Sequence, residues 1–219
     1  MLFSDPDASP AKTQVAELRD YPEWHRGRER YGVWIVPVEQ PELLGYIAQA
    51  RRALDDLLHP SPLRQPHLTV FVCGFDRDTP TEDDDFSPSQ LRRQIATLSG
   101  DLGEALALPL SAPDSFATAA FIPVHDPEGR LARWRARLGC AAKEVRQSTY
   151  VPHITLGLYR REVTAAVLRR RLADIDPPVM ALQANSLQYA TYEARSQFGP
   201  LSSHHRLALA SPGDMIPPA

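Results

Sequence analysis

Two short segments carry residues able to move protons. Pro66-His67-Leu68-Thr69-Val70 and Pro152-His153-Ile154-Thr155-Leu156 repeat one Pro-His-apolar-Thr-apolar pattern 86 positions apart. Breaking a phosphodiester at neutral pH needs one group to take a proton from the nucleophile and another to give one to the departing oxygen. Histidine suits both tasks, because its ordinary pKa of about 6.5 leaves both protonation forms accessible. A threonine hydroxyl two residues on can donate to the non-bridging phosphate oxygens and steady their charge. That chemistry requires neither a metal nor an organic cofactor. A lone His-x-Thr is more often a structural histidine on a strand. A second copy with the same proline and apolar flanks is hard to explain in that way.

Both motifs lie in strand-like runs, HLTVFVCGF from His67 and YVPHITLGLY from Tyr150. Side chains alternate along a strand, so each His and its Thr share one face while the apolar residue between them enters the core. If the two strands lie side by side, two imidazoles and two hydroxyls converge. Around them the pattern predicts a strand over residues 32–38 (GVWIVPV), a helix over 41–58 opened by Pro41, and a helix over 88–102. It predicts strands near 106–110 and 116–124, a basic helix over 127–145, a helix over 163–173, and closing strands over 182–192 and 205–210. The acidic stretch between the first motif strand and the next helix (residues 76–90), with Glu82, Asp83, Asp84 and Asp85, reads as an exposed loop. Two similar strand-and-helix groups imply an α+β fold with two lobes, duplicated, with antiparallel sheets around a central cleft. Residues 1–20 read as a loosely held lead-in, 21–210 as one two-lobed domain, and 211–219 as a fraying tail.

Composition narrows the partners. A net charge of −3 over 219 residues gives no broad cationic surface for long nucleic acid, so a small or terminal phosphate fits better. The arginine groups (26, 28, 30; 130, 133, 135, 137; 160, 161, 169, 170, 171) read as solvated helix faces. No apolar run reaches the roughly 20 residues of a membrane span. The N-terminus lacks a secretory pattern, so the chain is expected to be soluble and cytoplasmic. Cys73 and Cys140 are too few for a disulfide framework or thiolate metal site, and are expected as buried free thiols. His204-His205 project to opposite faces of a strand and cannot easily share an ion. His25, His59 and His125 read as solvated, and no Gly-rich phosphate loop is present.

On the two motifs, with the opening strand GVWIVPV and the Gly-terminated HLTVFVCGF, the chain resembles the 2H phosphoesterases, which include LigT-like 2′-5′ RNA ligases and cyclic nucleotide phosphodiesterases. The resemblance spans residues 32–210. It implies two αβ lobes around a cleft, catalytic roles for His67 and His153, and phosphate contacts for Thr69 and Thr155. The implied reaction is hydrolysis of a 2′,3′-cyclic nucleotide or an RNA-terminal cyclic phosphate. The alternatives are a 2′-5′ RNA phosphodiesterase or ligase, or a module that binds a nucleotide or RNA end without turnover. The expected partner is that nucleotide or RNA-end phosphodiester, with no membrane and no obligatory protein partner. Where LigT-like members carry a basic residue after the second motif, this chain has Leu158, which makes Arg160 the nearest candidate cation. Trp34, Phe71 and Tyr150 are candidates for stacking on a nucleobase, as is Tyr192 on a late strand, though core packing is the commoner use of such rings.

Overall fold

The computed structural model of the protein describes residues 2–5, 7–60, 63–146, 148–196 and 198–211. The chain opens with a one-turn helix α1 (Pro22–His25), strand β1 (Arg30–Pro37), helix α2 (Pro41–Ala53), strand β2 (His67–Asp76), a short β3 (Asp85–Phe86) and helix α3 (Pro88–Ser99). There follow β4 (Leu106–Pro109), β5 (Asp114–Ser115), β6 (Ala119–Pro123), α4 (Arg130–Ala141), β7 (His153–Leu158), α5 (Ala165–Ala173), β8 (Ala181–Ala184), β9 (Ser186–Glu193) and β10 (Ser202–Ala208). Proline sets the first turn of α2 and α3, where its missing N–H costs nothing, and Ser87 and Gln90 close a reciprocal capping box on α3. Among the described residues no helix is long and apolar enough to cross a membrane.

One sheet runs in the order β10-β9-β1-β2-β7-β6-β5, with β3 parallel beside β2 and a separate β4-β8 pair. Its two halves repeat each other. Pro37 lies opposite His67 on β1 and β2, and Pro123 lies opposite His153 on β6 and β7, the same 86-residue offset as the motifs. Val38 N–H donates to the Pro66 carbonyl at 3.1 Å, and Val124 N–H to the Pro152 carbonyl at 2.9 Å. Between the halves, β2 and β7 pair antiparallel through a single residue pair, Leu68 with Ile154. The main core covers one face of this sheet: Trp34, Val36, Leu68, Ile154, Leu43 of α2 and Trp134 of α4 all belong to it, and all are fully buried. Each such side chain contributes roughly 1.5–3 kcal/mol of burial. A smaller cluster of Tyr31, Val33, Ile35 and Phe75 lines the opposite face.

Several expectations change. The described part of the N-terminal lead-in is anchored at several points rather than loose: Phe3 is fully buried, Thr13 N–H donates to the Val163 carbonyl, and Ala16 N–H to the Tyr159 carbonyl. Apolar burial and edge pairing hold a segment whose polar composition suggested otherwise. Of the expected C-terminal tail, residues 212–219 lie outside the described residues. Helix α2 ends at Ala53; Leu57 is buried from a turn and Leu58 from an isolated antiparallel bridge to Tyr159. Cys140 is exposed, while Cys73 is a buried free thiol. His25 is buried, its Nε2 2.8 Å from Asp20 Oδ1. Arg28 leaves the solvated group altogether, since its side chain is 7% exposed and bridges Asp84 and Asp85.

Candidate active site

The single-pair seam decides the geometry. Leu68 and Ile154 face each other and are both fully buried, so their sequence neighbours project to the opposite face. Antiparallel register then sets His67 across from Thr155 and Thr69 across from His153, each pair about 5 Å apart at Cβ. The four side chains form a ring with the two imidazoles on one diagonal, and all four are half-buried.

Each imidazole is held alike. His67 Nδ1 lies 2.8 Å from the Gln65 carbonyl and His153 Nδ1 lies 2.6 Å from the Val151 carbonyl. A carbonyl only accepts, so in both rings Nδ1 carries the hydrogen and Nε2 keeps its lone pair. Burial lowers His67 to about 4; the Gln65 carbonyl opposes this, while the charges of Arg64 and His153 add to it. Burial also lowers His153, against the Val151 carbonyl and with help from Arg146. Both rings are therefore poised as neutral bases in the unliganded protein. The His153 ring packs edge-on against Phe116 and Phe121, at 5.1 and 5.2 Å between centroids.

A cavity of about 480 Å³ opens beside this ring, lined by His67, Thr69 and Thr155 together with Leu156, Gly157 and Leu158 of β7. His153 lies outside that lining. Two arginines, Arg51 and Arg64, border the cavity, and no carboxylate does among the described residues. In a chain of net charge −3 this is a local concentration of positive charge, suited to an anion. Arg51 donates to the Leu156 carbonyl at 2.8 Å. Arg64 donates to the Gly199 carbonyl at 3.1 Å and lies 3.8 Å over the Tyr192 ring. Tyr21, Trp24, Tyr192 and Phe198 complete the wall. No group of three His, Cys, Asp or Glu side chains among the described residues is placed to hold a metal ion.

The profile of the 2′-5′ RNA ligase superfamily matches residues 37–194, a span that contains both motif strands. The chain belongs to this superfamily. Its fold is that of E. coli LigT in apo form, with a TM-score of 0.61 at 15% identity, covering 84% of this chain and 100% of LigT. E. coli LigT complexed with 3′-AMP gives a TM-score of 0.53 at 16% identity, over 84% of this chain and 99% of that one. TT0787 of Thermus thermophilus gives 0.56 at 13% identity, over 83% and 98%. No curated protein gives a significant sequence match.

Within that superfamily fold the secondary candidates separate. Trp34 is fully buried on the core face, its Nε1 donating to Gln94 Oε1 at 2.7 Å; it shares its face with Val36 and Leu68, opposite the ring. Phe71 is 1% exposed and belongs to the main core. Simple alternation would have put it beside Thr69, but a register shift pairs Trp34 with Phe71 and Ile35 with Thr69, so Val70 forms a bulge that reverses the parity. Arg160 leaves β7 toward solvent and donates to the Asp55 carbonyl at 3.3 Å. Tyr150 stays near the ring, its hydroxyl donating to the Thr69 carbonyl at 2.9 Å beneath the Arg135 guanidinium. Arg51, Arg64, Tyr21, Trp24 and Phe198 escaped the sequence reading. Only Arg64, three residues before His67, had a local signal, since Tyr150 stands at the same distance before His153.

Proposed function

We propose that the chain hydrolyses a ribose-linked phosphodiester, a 2′,3′-cyclic nucleotide or a cyclic phosphate at an RNA end, by acid-base catalysis between His67 and His153 without a metal. The observation that carries this reading is the ring at the β2–β7 seam, where two Nδ1-fixed imidazoles alternate with two hydroxyls beside a cavity that no carboxylate lines among the described residues. The phosphate occupies the centre, its non-bridging oxygens accepting from Thr69 and Thr155. One imidazole takes a proton from water through Nε2 as the water oxygen bonds to phosphorus. The other, protonated, gives its proton to the ribose oxygen as the P–O bond breaks, leaving a ribose monophosphate. The substrate's negative charge favours that protonation, offsetting the lowering that burial imposes in the empty site. That E. coli LigT is known complexed with 3′-AMP supports a nucleotide as the ligand of this fold. The superfamily match favours one second reading, hydrolysis of a 2′-5′ linkage with ligation as its reverse.

The test is turnover of 2′,3′-cyclic AMP, CMP, GMP and UMP in EDTA by wild type and by the His67→Ala/His153→Ala double variant, resolving 2′- from 3′-phosphates. Turnover confined to wild type is expected. Equal turnover by the double variant, or a strict metal requirement, would overturn the mechanism. A wild type inert on all four but active on 2′-5′ oligonucleotides would select the second reading; one that binds nucleotides and turns over none of these substrates would be a binding module.

A further inference from the structure

One wall of the cleft does not come from the duplicated strands. Tyr21 and Trp24 reach the cavity from the N-terminal segment and α1, whereas the superfamily match begins at residue 37. The segment arrives from the far lobe, where Ala16 is bonded to Tyr159 and its carbonyl accepts from His59 Nε2 at 2.7 Å. It then closes a single helical turn on the Tyr21 carbonyl. Such a short helix has little stability of its own.

Its anchor is Arg28. The guanidinium donates to the Trp24 carbonyl at 3.0 Å and to the His25 carbonyl at 2.9 Å, so two bonds grip α1 directly. On its other side it pairs with Asp84 and with the fully buried Asp85 carboxylate, and it lies 3.6 Å over the Phe75 ring. Phe75 and Tyr31 in turn pack against Trp24, with centroids 4.9 and 5.0 Å away. The acidic stretch is therefore not wholly the exposed loop expected: Glu82 and Asp83 are exposed, but Asp85 is buried and Asp84 partly so, both on Arg28. Through Arg28 it fixes where Trp24 stands.

The rings in the cleft are not equivalent. Tyr192 has Arg64 over its face and Tyr21 has Arg19, each at 3.8 Å. Trp24 and Phe198 carry no cation among the described residues and are both partly exposed to the cavity. Aromatic rings partly exposed to a cavity that His67, Thr69 and Thr155 also line are what a nucleobase stacks on. We propose that α1, held by Arg28 and the acidic loop, forms a nucleobase subsite in which Trp24 is the stacking face, so that the substrates are base-bearing phosphodiesters rather than base-free sugar phosphates. This rests on the phosphodiesterase reading above and adds a specificity residue from outside the superfamily match.

The experiment compares kcat/KM for 2′,3′-cyclic AMP with that for the base-free methyl ribofuranoside 2,3-cyclic phosphate, in wild type, Trp24→Leu and Trp24→Phe. Stacking on one aromatic ring predicts a wild-type preference of roughly 5- to 150-fold for the base-bearing substrate. The ratio should fall toward one in Trp24→Leu and be largely kept in Trp24→Phe. A ratio near one in wild type, or an unchanged ratio in Trp24→Leu, would overturn the subsite. A second arm needs no turnover: 5′-AMP should quench wild-type tryptophan fluorescence where ribose 5-phosphate does not, and that difference should vanish in Trp24→Phe. Base-specific quenching without turnover of either cyclic phosphate would refute the cyclic-phosphate reading and leave the subsite standing. Turnover without base preference would do the reverse.

Discussion

Following the His67 imidazole by NMR from pH 8 to 3.5 should give a midpoint at about 4 in the unliganded protein. The displacement from an ordinary histidine corresponds to about 3 kcal/mol between protonation forms and leaves roughly one ring in a thousand charged at pH 7. Its source is structural: the ring is half-buried, and Arg64 and His153 oppose a further positive charge. Because the folded-state pKa is depressed, the stability this group contributes is complete above about pH 6.5 and is lost as pH falls from there through 4. The urea stability of wild type minus that of His67→Gln should shrink across that window. The kinetic consequence is sharper. Since kcat/KM reports the free enzyme, it needs one ring neutral and one protonated, a form that exists between two midpoints both below 6.5. The kcat/KM optimum should therefore lie below pH 6.5. The kcat profile should extend to higher pH, because the bound phosphodiester anion raises the acid, and saturating inorganic phosphate should raise the His67 midpoint by about a unit or more. A free-protein midpoint at 6.5 or above, or a kcat/KM optimum above pH 7, would refute the reasoning.

Replacing Trp34 by Phe removes the indole donor to Gln94 Oε1 in the core, leaving it the weaker Cys73 thiol, and should cost about 1–3 kcal/mol in urea unfolding with KM unchanged; a rise in KM of roughly fivefold at unaltered stability would put the indole back in the cleft. Arg28→Met removes the only cation paired with the fully buried Asp85 carboxylate among the described residues, leaving it the Thr81 and Glu82 donors, and should destabilise the fold by roughly 3–5 kcal/mol. A loss under about 1 kcal/mol by urea denaturation would show that the pair does not anchor α1.

The four residues of the ring were legible because their geometry is local. Once a His-x-Thr segment is a strand, the period of two puts both polar groups on one face and Leu68 or Ile154 on the other, whatever the rest of the chain does. Trp34 and Phe71 were misplaced for different physical reasons. Trp34 lies one residue out of phase with the cleft face of β1, which a run buried on both sides does not reveal. Phe71 is displaced by a bulge at Val70 that leaves no mark in the sequence pattern. Arg160 follows its strand closely in sequence, but the chain turns away just beyond Leu158, toward Asp55.

The chemistry available to this protein can be read from its residues: two imidazoles, two hydroxyls, an internal duplication, and strands and helices whose periodicities name their buried faces. The periodicities depend on residues a few positions apart, and the duplication on a pattern repeated along the chain. Tertiary structure alone decided that the two motifs meet at a single backbone pair, that Arg51 and Arg64 border the same cavity, and that a buried arginine links the acidic loop to a tryptophan some sixty residues upstream. Each of these is a contact between segments far apart in the chain, fixed by which faces the core must bury rather than by any local pattern.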